Sequence, residues 1–571
     1  MENSQINKLK QKGRRFLDRR NGKKLKFIAL SGTTGVTESF FVYEYGNDMI
    51  IVDCGVGFPE PDMYGVDLVI PDFSYIKENR HKLRGILITH GHEDHLGALP
   101  FLLDQVSAPV YASKLTIGFI DDKLKDYGVK KHDLHVIDVA HDVLTLGVFK
   151  VSSFRVSHSV PDTLAYVIDT PVGTLFHVSD YKFDWTPVDG KPFDVLKAAT
   201  LASRGVLAMA SDCLGSTHAG YTESERAIEG RLEPIINNAK GQVFFTTISS
   251  NISRMQQAMN VAQKEGRRVC LVGRSIEHKA EIARDLGYLK WEKGLVVGMK
   301  QARRLKKNEI VYIVSGSYGQ PGSALYRVAM GEHQFMKAER EDTVIFSGDP
   351  APPGSKANVD FLVDRLLELE VDVHYYDMQE DLHVSGHGSQ QDITMLLGIV
   401  KPKFLVPIGG TIRHMRGYRL LAKQMGYKDQ EVLELTPGTV IEYSENNARV
   451  AGKVPVQNVL VDGLGIGDVG NVVLRDRQKL ANDGIAIVVL QLDKNKEKLI
   501  DDPVVFSRGF VFEKETKDFL NFSGKKLREK LEGRRIIGAG QLRNETVDFL
   551  ERFYFEQTGR RPMVLPVVVE V

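Results

Sequence analysis

A chain of 571 residues is long enough for about three or four domains. Its 42% apolar and 26% charged residues are those of ordinary globular protein. Lys+Arg (75) and Asp+Glu (74) nearly cancel, so bulk charge predicts no nucleic-acid partner. Three cysteines, Cys54, Cys213 and Cys270, lie far apart without a CxxC, which argues for a reducing cytosol and against a disulfide framework. No apolar run approaches the ~18 residues of a membrane span and the N-terminus has no apolar signal core, so the sequence predicts a cytoplasmic protein without membrane contact.

In chain order, residues 1–26 carry ten Lys/Arg against Glu2 and Asp18, a local net of +8. Residues 1–25 therefore read as a basic flexible arm, either a solvated tail or an arm for a polyanion. From Leu25 to about Ser211 the pattern is mostly strand. "FFVYEYGNDMIIVDCG" alternates around a Gly-Asn-Asp turn, and "LAYVIDTPVGTLFHVSD" repeats the device around Pro-Val-Gly. After Asp212 the character changes. "TESERAIEGRLEPIINNA" predicts a helix opened by a capping box from Thr222 to Glu225. Strands and helices then alternate through "QVFFTTIS", "RRVCLVG", "EIVYIVSGS" and "DTVIFSGD", which implies a parallel sheet with crossover helices. "YSENNARVAGKVPVQ", residues 443–457, is polar and strand-poor and predicts a linker. Residues 458–571 read as a small α+β unit.

The densest chemistry is "ITHGHEDHLG", Ile88 to Gly97. "RGILITH" is an apolar strand, so His90 sits at its end, and His92, Asp94 and His95 follow in the loop before a helix starting near Leu96. One strand end can aim several side chains into one cavity, and imidazole with carboxylate suits zinc or manganese. A lone histidine there would read as a surface turn; H-x-H-x-D-H spacing reads as a metal site. His158 after "VSSFRVS" and Asp180 after "TLFHVS" also follow strands. Taken singly, each is an ordinary polar strand-end residue; together with the cluster they become further ligands.

Asp53 in "VDCG", "THGHEDH", His158 and Asp180 in "SDYKFD", in that order, resemble the metallo-β-lactamase superfamily. "SDCLGSTHAGYTESE", "SSNISRMQQ", "GRS", "SGSYGQPGSAL" and "HVSGHGSQ" resemble its β-CASP nuclease branch, specifically the ribonuclease J family, as do "NVLVDGLGIGDVGNVVLRDR" and "RRPMVLPVVVEV" near the C-terminus. The resemblance spans residues from about 26 onward. It implies an α/β protein: a four-layer αββα metallo-β-lactamase fold with an inserted parallel-sheet β-CASP domain and a small C-terminal α+β domain. The implied boundaries are 26–211 for the first part of the metallo-β-lactamase domain, 212–390 for the β-CASP domain and 391–445 for its completion. A linker at 446–457 and the C-terminal domain at 458–571 follow.

The resemblance also implies roles. His90, His92 and His158 would hold one ion, Asp94 and His95 a second, and Asp180 would bridge them, with up to two Zn2+ per subunit and Mn2+ or Mg2+ as alternatives. Asp94 would take part in catalysis, and Asp53 would orient ligands. His387 matches the family's catalytic histidine and Asp212 its supporting acid. Ser249, Ser250 and Asn251, and His383, Val384, Ser385, Gly386 and His387, would bind the RNA backbone or its 5′ phosphate. The implied activity is metal-dependent hydrolysis of RNA, 5′→3′ exonucleolytic with endonucleolytic cutting. The implied partner is single-stranded RNA with a 5′ monophosphate, and the implied assembly is a homodimer, a tetramer or a hetero-oligomer with a paralogue. Three departures stand out. Gly409 in "VPIGGTIRH" occupies the place of the family's last metal-ligating histidine, which predicts a weakened second site. His414, five residues on, would face elsewhere if helical. Gln320 replaces an acid, and "SGTTGVTESF" departs from the family's Gly-Lys-Asn turn. Those departures also predict a second role, a weakly active paralogue that structures a complex with an active subunit.

Overall fold

The structure is a computed structural model describing residues 24–350, 352, 354–463, 465–493, 498–510, 516–534, 536 and 538–571. Nearly all of the basic arm expected at 1–25 lies outside the described residues. Two compact units divide the chain: residues 1–58 with 69–459, and residues 59–68 with 460–571.

The larger unit contains two face-to-face sheets. The first has eight strands in the order Asn447–Lys453, Thr439–Ser444, Leu25–Ser31, Phe40–Tyr45, Asp48–Val52, Leu83–Leu87, Pro109–Ala112 and Asp133–Val136. The second has six, in the order Phe404–Ile408, Val206–Asp212, Gly173–Val178, Leu164–Thr170, Phe149–Arg155 and Val143–Leu146. Strand side chains alternate between faces, and this alternation builds the layers. Tyr166 and Ile168 point between the sheets, where they pack with Phe27, Phe41, Tyr43, Ile50 and Val52. Ala165 and Val167 point outward, toward Ala198, Ile393, Leu396 and Tyr418 of the covering helices Val195–Ala202, Gln390–Val400 and Ile412–Gln424. The helix Lys114–Asp126 buries Leu115, Phe119, Ile120 and Leu124. Truncating a fully buried residue such as Leu396 to Ala would cost about 2–5 kcal/mol.

Residues 404–408 pair in parallel with 208–212, and 440–443 pair antiparallel with 25–28, so distant segments finish both sheets. Between them lies a five-stranded, wholly parallel sheet ordered Arg268–Val272, Ile310–Val314, Val243–Thr246, Thr343–Phe346 and Asp372–His374. Its three inner strands, Ile310–Val314, Val243–Thr246 and Thr343–Phe346, are buried throughout and mostly apolar, as strands covered on both faces require. Phe244, Tyr312 and Val344 meet Leu325, Val359 and Leu362 on one face. In the smaller unit, Ile485–Asp493 pairs with Val504–Arg508 and, in parallel, with Met563–Glu570. Leu527, Leu550 and Tyr554 from two helices cover Val488 and Leu490. Among the described residues no helix is long and apolar enough to cross a membrane.

Two local expectations are corrected. The helix predicted to start at a Thr222–Glu225 capping box runs Ala227–Asn238, and Thr222 and Glu225 bond elsewhere. Residues 443–457, expected to be strand-poor, contain the hairpin strand Asn447–Lys453 paired with Thr439–Ser444. That strand is a sheet edge with mostly exposed side chains, so its polarity mimics a linker.

Candidate active site

The ends of several strands bring the histidines together. His90 follows Leu83–Leu87, His158 follows Phe149–Arg155 and Asp180 follows Gly173–Val178. The cluster at 90–95 is not wholly loop: His92 is the N-cap of a short helix, Glu93–Leu96, that carries Asp94 and His95. Its backbone is locked by Cys54 N donating to the His95 carbonyl at 2.7 Å and by Ser39 N donating to the Asp94 carbonyl at 2.9 Å.

Two sets of donors from the histidine cluster form around Asp180, beside a third group of Asp180, Asp212 and His387. His90 Nε2 and His92 Nδ1 are 3.0 Å apart, and His92 Nδ1 and His158 Nε2 are 3.1 Å apart. Asp180 Oδ2 stands 3.7 Å from both His90 Nε2 and His158 Nε2. Bonds of about 2.0–2.1 Å to tetrahedral zinc imply donor edges of about 3.3 Å, so this set fits one ion. The second set is Asp94, His95 and the same Asp180, with His95 Nε2 at 3.6 Å from Asp94 Oδ2 and 3.4 Å from Asp180 Oδ2.

Charge supports the fit. Burial pulls the imidazoles of His90 and His92 well below their ordinary value, and neighbouring imidazoles add to the effect. Neutral rings with free lone pairs are what a metal needs. Burial also lowers His95, but Asp180, Asp94 and Asp53 outweigh it and hold the ring well above its ordinary value. That pocket is anionic enough to favour a cation.

Support comes from behind. Asp53 Oδ2 accepts from His95 Nδ1 at 2.8 Å, which fixes Nε2 toward the centre. Asp53 has φ +61, a left-handed conformation uncommon for a non-glycine residue. Thr89 was missed by sequence reasoning: its N–H and hydroxyl donate to Asp53, and its Oγ1 lies 3.0 Å from His90 Nδ1. Position alone, directly before His90, was its signal. Glu93 was also passed over although it lies inside the motif. Burial would raise its carboxyl, but Lys279 and Lys123 bring it to about 2, with Nζ atoms at 3.1 and 2.6 Å.

His387 and Asp212 meet as the resemblance implied, Nδ1 donating to Oδ2 at 2.7 Å, and Nε2 faces Asp180 Oδ2 at 3.9 Å. Burial lowers the His387 imidazole, yet Asp212 and Asp180 lift it to about 9, so the ring is held as an acid at neutral pH. Gly386 joins this loop to the first set: its carbonyl accepts from His158 Nδ1 at 2.8 Å, and a Cβ there would lie 2.5 Å from His158 Cε1. Ser385 is exposed and its Oγ accepts from His387 N at 3.1 Å, while Val384 is buried. His383 Nδ1 is buried without a hydrogen-bond partner, and burial followed by Arg254 lowers the ring to about 3. Ser249 is half-buried and Ser250 buried; Asn251 Oδ1 caps the helix Ile252–Lys264 by accepting from Arg254 N.

Gly409 follows the strand Phe404–Ile408 with φ +68, and a Cβ there would meet Asp212 Oδ1 at 3.5 Å. The position faces the site and has room. His414 does not replace an imidazole there, because its Nδ1 accepts from Thr411 N within the helix Ile412–Gln424.

Two apposed sheets with a histidine- and aspartate-rich centre at their strand ends define a metal-dependent hydrolase of the metallo-β-lactamase superfamily. Residues 33–208 match that superfamily, and residues 377–432 match the Zn-dependent metallo-hydrolase RNA specificity domain. Residues 240–366 match the ribonuclease J beta-CASP domain and 472–571 the ribonuclease J C-terminal domain. The chain is 35% identical over 560 residues to Ribonuclease J2 of Bacillus subtilis, covering 97% of this chain and 100% of that one. It is 35% identical over 546 residues to Ribonuclease J 1 of Streptococcus pyogenes, covering 95% and 97%. A solved structure of a protein of unknown function from Enterococcus faecalis matches at TM-score 0.51 and 14% identity, over 74% of this chain and 100% of that one. The chain belongs to the ribonuclease J family. It is a metal-dependent hydrolytic nuclease that binds RNA.

Proposed function

We propose that this nuclease trims RNA 5′→3′ from a 5′-monophosphorylated single strand and also cuts internally, in cytoplasmic RNA maturation and decay. The observation that carries the reading is the position of Asp180 Oδ2, within 4 Å of nitrogens on His90, His95, His158 and His387. Donor sets and proton donor therefore address one point. In this reading His90, His92, His158 and Asp180 hold one zinc ion, and Asp94, His95 and Asp180 a second, more weakly held one. The imidazole-rich first set favours zinc; manganese or magnesium also suits the carboxylate-rich second. Bound ions supply activation of water near neutral pH and offset charge on the scissile phosphate. His387 Nε2 delivers a proton to the leaving oxygen, while Asp212 keeps the Nδ1 proton and the ring orientation. The 383–387 loop, tied to His158, presents Ser and Gly groups suited to an RNA end. The assembly in this reading is a dimer or tetramer.

Gly409 favours a second reading, a weakly active paralogue that mainly structures a complex with an active subunit. Digestion of 5′-labelled monophosphate and triphosphate RNA with added zinc, manganese or magnesium decides between them. Mononucleotide release supports the exonuclease and discrete fragments the endonuclease. Cleavage by neither, restored only by an added complete relative, supports the second reading.

A further inference from the structure

The two ends of the His383–His387 loop are held by groups that meet at one buried guanidinium. At the entry, the Leu382 carbonyl accepts from Ser347 Oγ at 2.8 Å and stands 3.4 Å from Arg254 Nη1. Ser347 Oγ in turn accepts from Arg254 Nη1 at 2.8 Å, which uses the hydroxyl as donor and acceptor at once. At the exit, Thr222 Oγ1 donates to the His387 carbonyl at 2.7 Å and Gly388 N donates to the Tyr181 carbonyl at 2.6 Å. Both exit anchors lead back to the same centre. Glu225, on the Thr222 segment, accepts from Arg254 Nη2 at 2.6 Å. Lys182, next to Tyr181, places its ammonium 3.5 Å from Glu225.

Arg254 is fully buried, in a helix that contributes nothing to the donor sets. Burying a guanidinium is unfavourable unless it is paired and bonded, and a buried ion pair is weak evidence for stability alone. Its rigid fork does what a lysine cannot: it fixes two acceptors at a set separation. Here the two acceptors, Glu225 and Ser347, belong to the segments that anchor opposite ends of the loop.

We propose that Arg254 is a positioning residue for the cleavage step. Through Ser347 at one end and Glu225 at the other it sets the span of the loop, and so the place of His387 Nε2, without touching the reacting atoms. The inference rests on the reading of His387 as proton donor.

The test compares two substrates of the full-length, metal-supplied protein: 5′-monophosphorylated RNA and the p-nitrophenyl ester of thymidine 5′-phosphate. The nitrophenolate leaves without a proton, so a displaced donor slows only RNA. Arg254→Lys should lower kcat on RNA by up to about 10²-fold, the usual effect of an ångström-scale misplacement, and Ser347→Ala by about tenfold. Both should leave the nitrophenyl ester rate within about twofold of the parent. Ser347→Ala removes only an uncharged link, so it carries the test if Arg254→Lys folds poorly. His387→Ala, run alongside, separates the failures. A selective loss for His387→Ala with equal losses on both substrates for Arg254→Lys and Ser347→Ala overturns the positioning role alone. Equal losses for His387→Ala overturn the proton-donor reading and this inference with it. Parent-like turnover of RNA by both Arg254→Lys and Ser347→Ala also overturns it.

Discussion

His90, His92, His158 and Asp180 come from three separate strand ends, whereas Asp94 and His95 are neighbours on one short helix and borrow Asp180. The first set has four donors, three of them imidazoles. The second has three, two of them carboxylates. Gly409, with φ +68, stands where the resemblance implies a completing imidazole. The two sets also differ in support. His158 is braced by a loop carbonyl that arrives from Gly386, and His95 by a buried carboxylate, Asp53, itself held by Thr89. One shared centre therefore contains a four-donor half and a three-donor half. The difference teaches that one shared carboxylate can serve two donor sets of unequal number and unequal support.

The largest effect expected concerns His387, the proposed proton donor, which belongs to neither set. His387→Ala should lower RNA turnover by about 10²–10⁴-fold while metal content stays at the parent value, and Asp212→Asn should lose somewhat less. Metal analysis beside cleavage checks this. Near-parent turnover would remove His387 from the mechanism and leave the donor sets to act alone.

A reference outside both sets is the buried pair of Glu225 and Arg254, 2.6 Å apart. Breaking it by Glu225→Gln should cost about 3–5 kcal/mol of stability at neutral pH. Burial would raise this carboxyl, but Arg254 and Lys182 hold it at about 2, against an ordinary value of 4.5. A depressed carboxyl stabilises the fold fully above 4.5, and that contribution disappears as pH falls toward about 2. Denaturant melts of parent and variant should therefore converge across that window. A gap that stays constant with pH would mean that the pair is not what stabilises the fold.

Sequence made the donors legible because histidines at H-x-H-x-D-H spacing are scarce and their chemistry is narrow. His158 and Asp180 joined them as residues that follow strands, whereas Asp53, Asp212 and His387 needed a family pattern, since each alone is an ordinary strand-end or loop residue. Thr89, Glu225 and Arg254 were not legible for a physical reason: their roles arise from pairs far apart in the chain, such as Arg254 with Ser347. The Thr222–Glu225 pattern satisfied the local rule for a helix start, but Glu225 found a buried cation and Thr222 found the His387 carbonyl. Tertiary partners outcompeted the cap. Strand alternation, by contrast, survives folding unchanged, so the strands were readable from the start, whereas their four-layer arrangement came from the resemblance.

Asp53→Asn sharpens the comparison, because Asp53 bonds His95 directly and reaches His90 of the first set only through Thr89. It should weaken the three-donor set by about 10–100-fold and the four-donor set markedly less. Equal weakening of both would show that the sets are not separable through their supports.

The smallest effect expected is Gly409→His. A Cβ there makes ordinary contact with Asp212 Oδ1, so the cost is backbone conformation, about 1–2 kcal/mol. Activity at limiting metal should rise by at most about tenfold. A fall would mean that the glycine is required for its angles.

The central claim is that the two donor sets are unequal, and calorimetric titration of the metal-stripped protein with zinc measures this directly. The account predicts one tight step at the His90, His92, His158 and Asp180 set and a second, weaker step, with RNA cleavage rising along the second. Two tight equivalents of matching affinity, with full cleavage reached together, would contradict it.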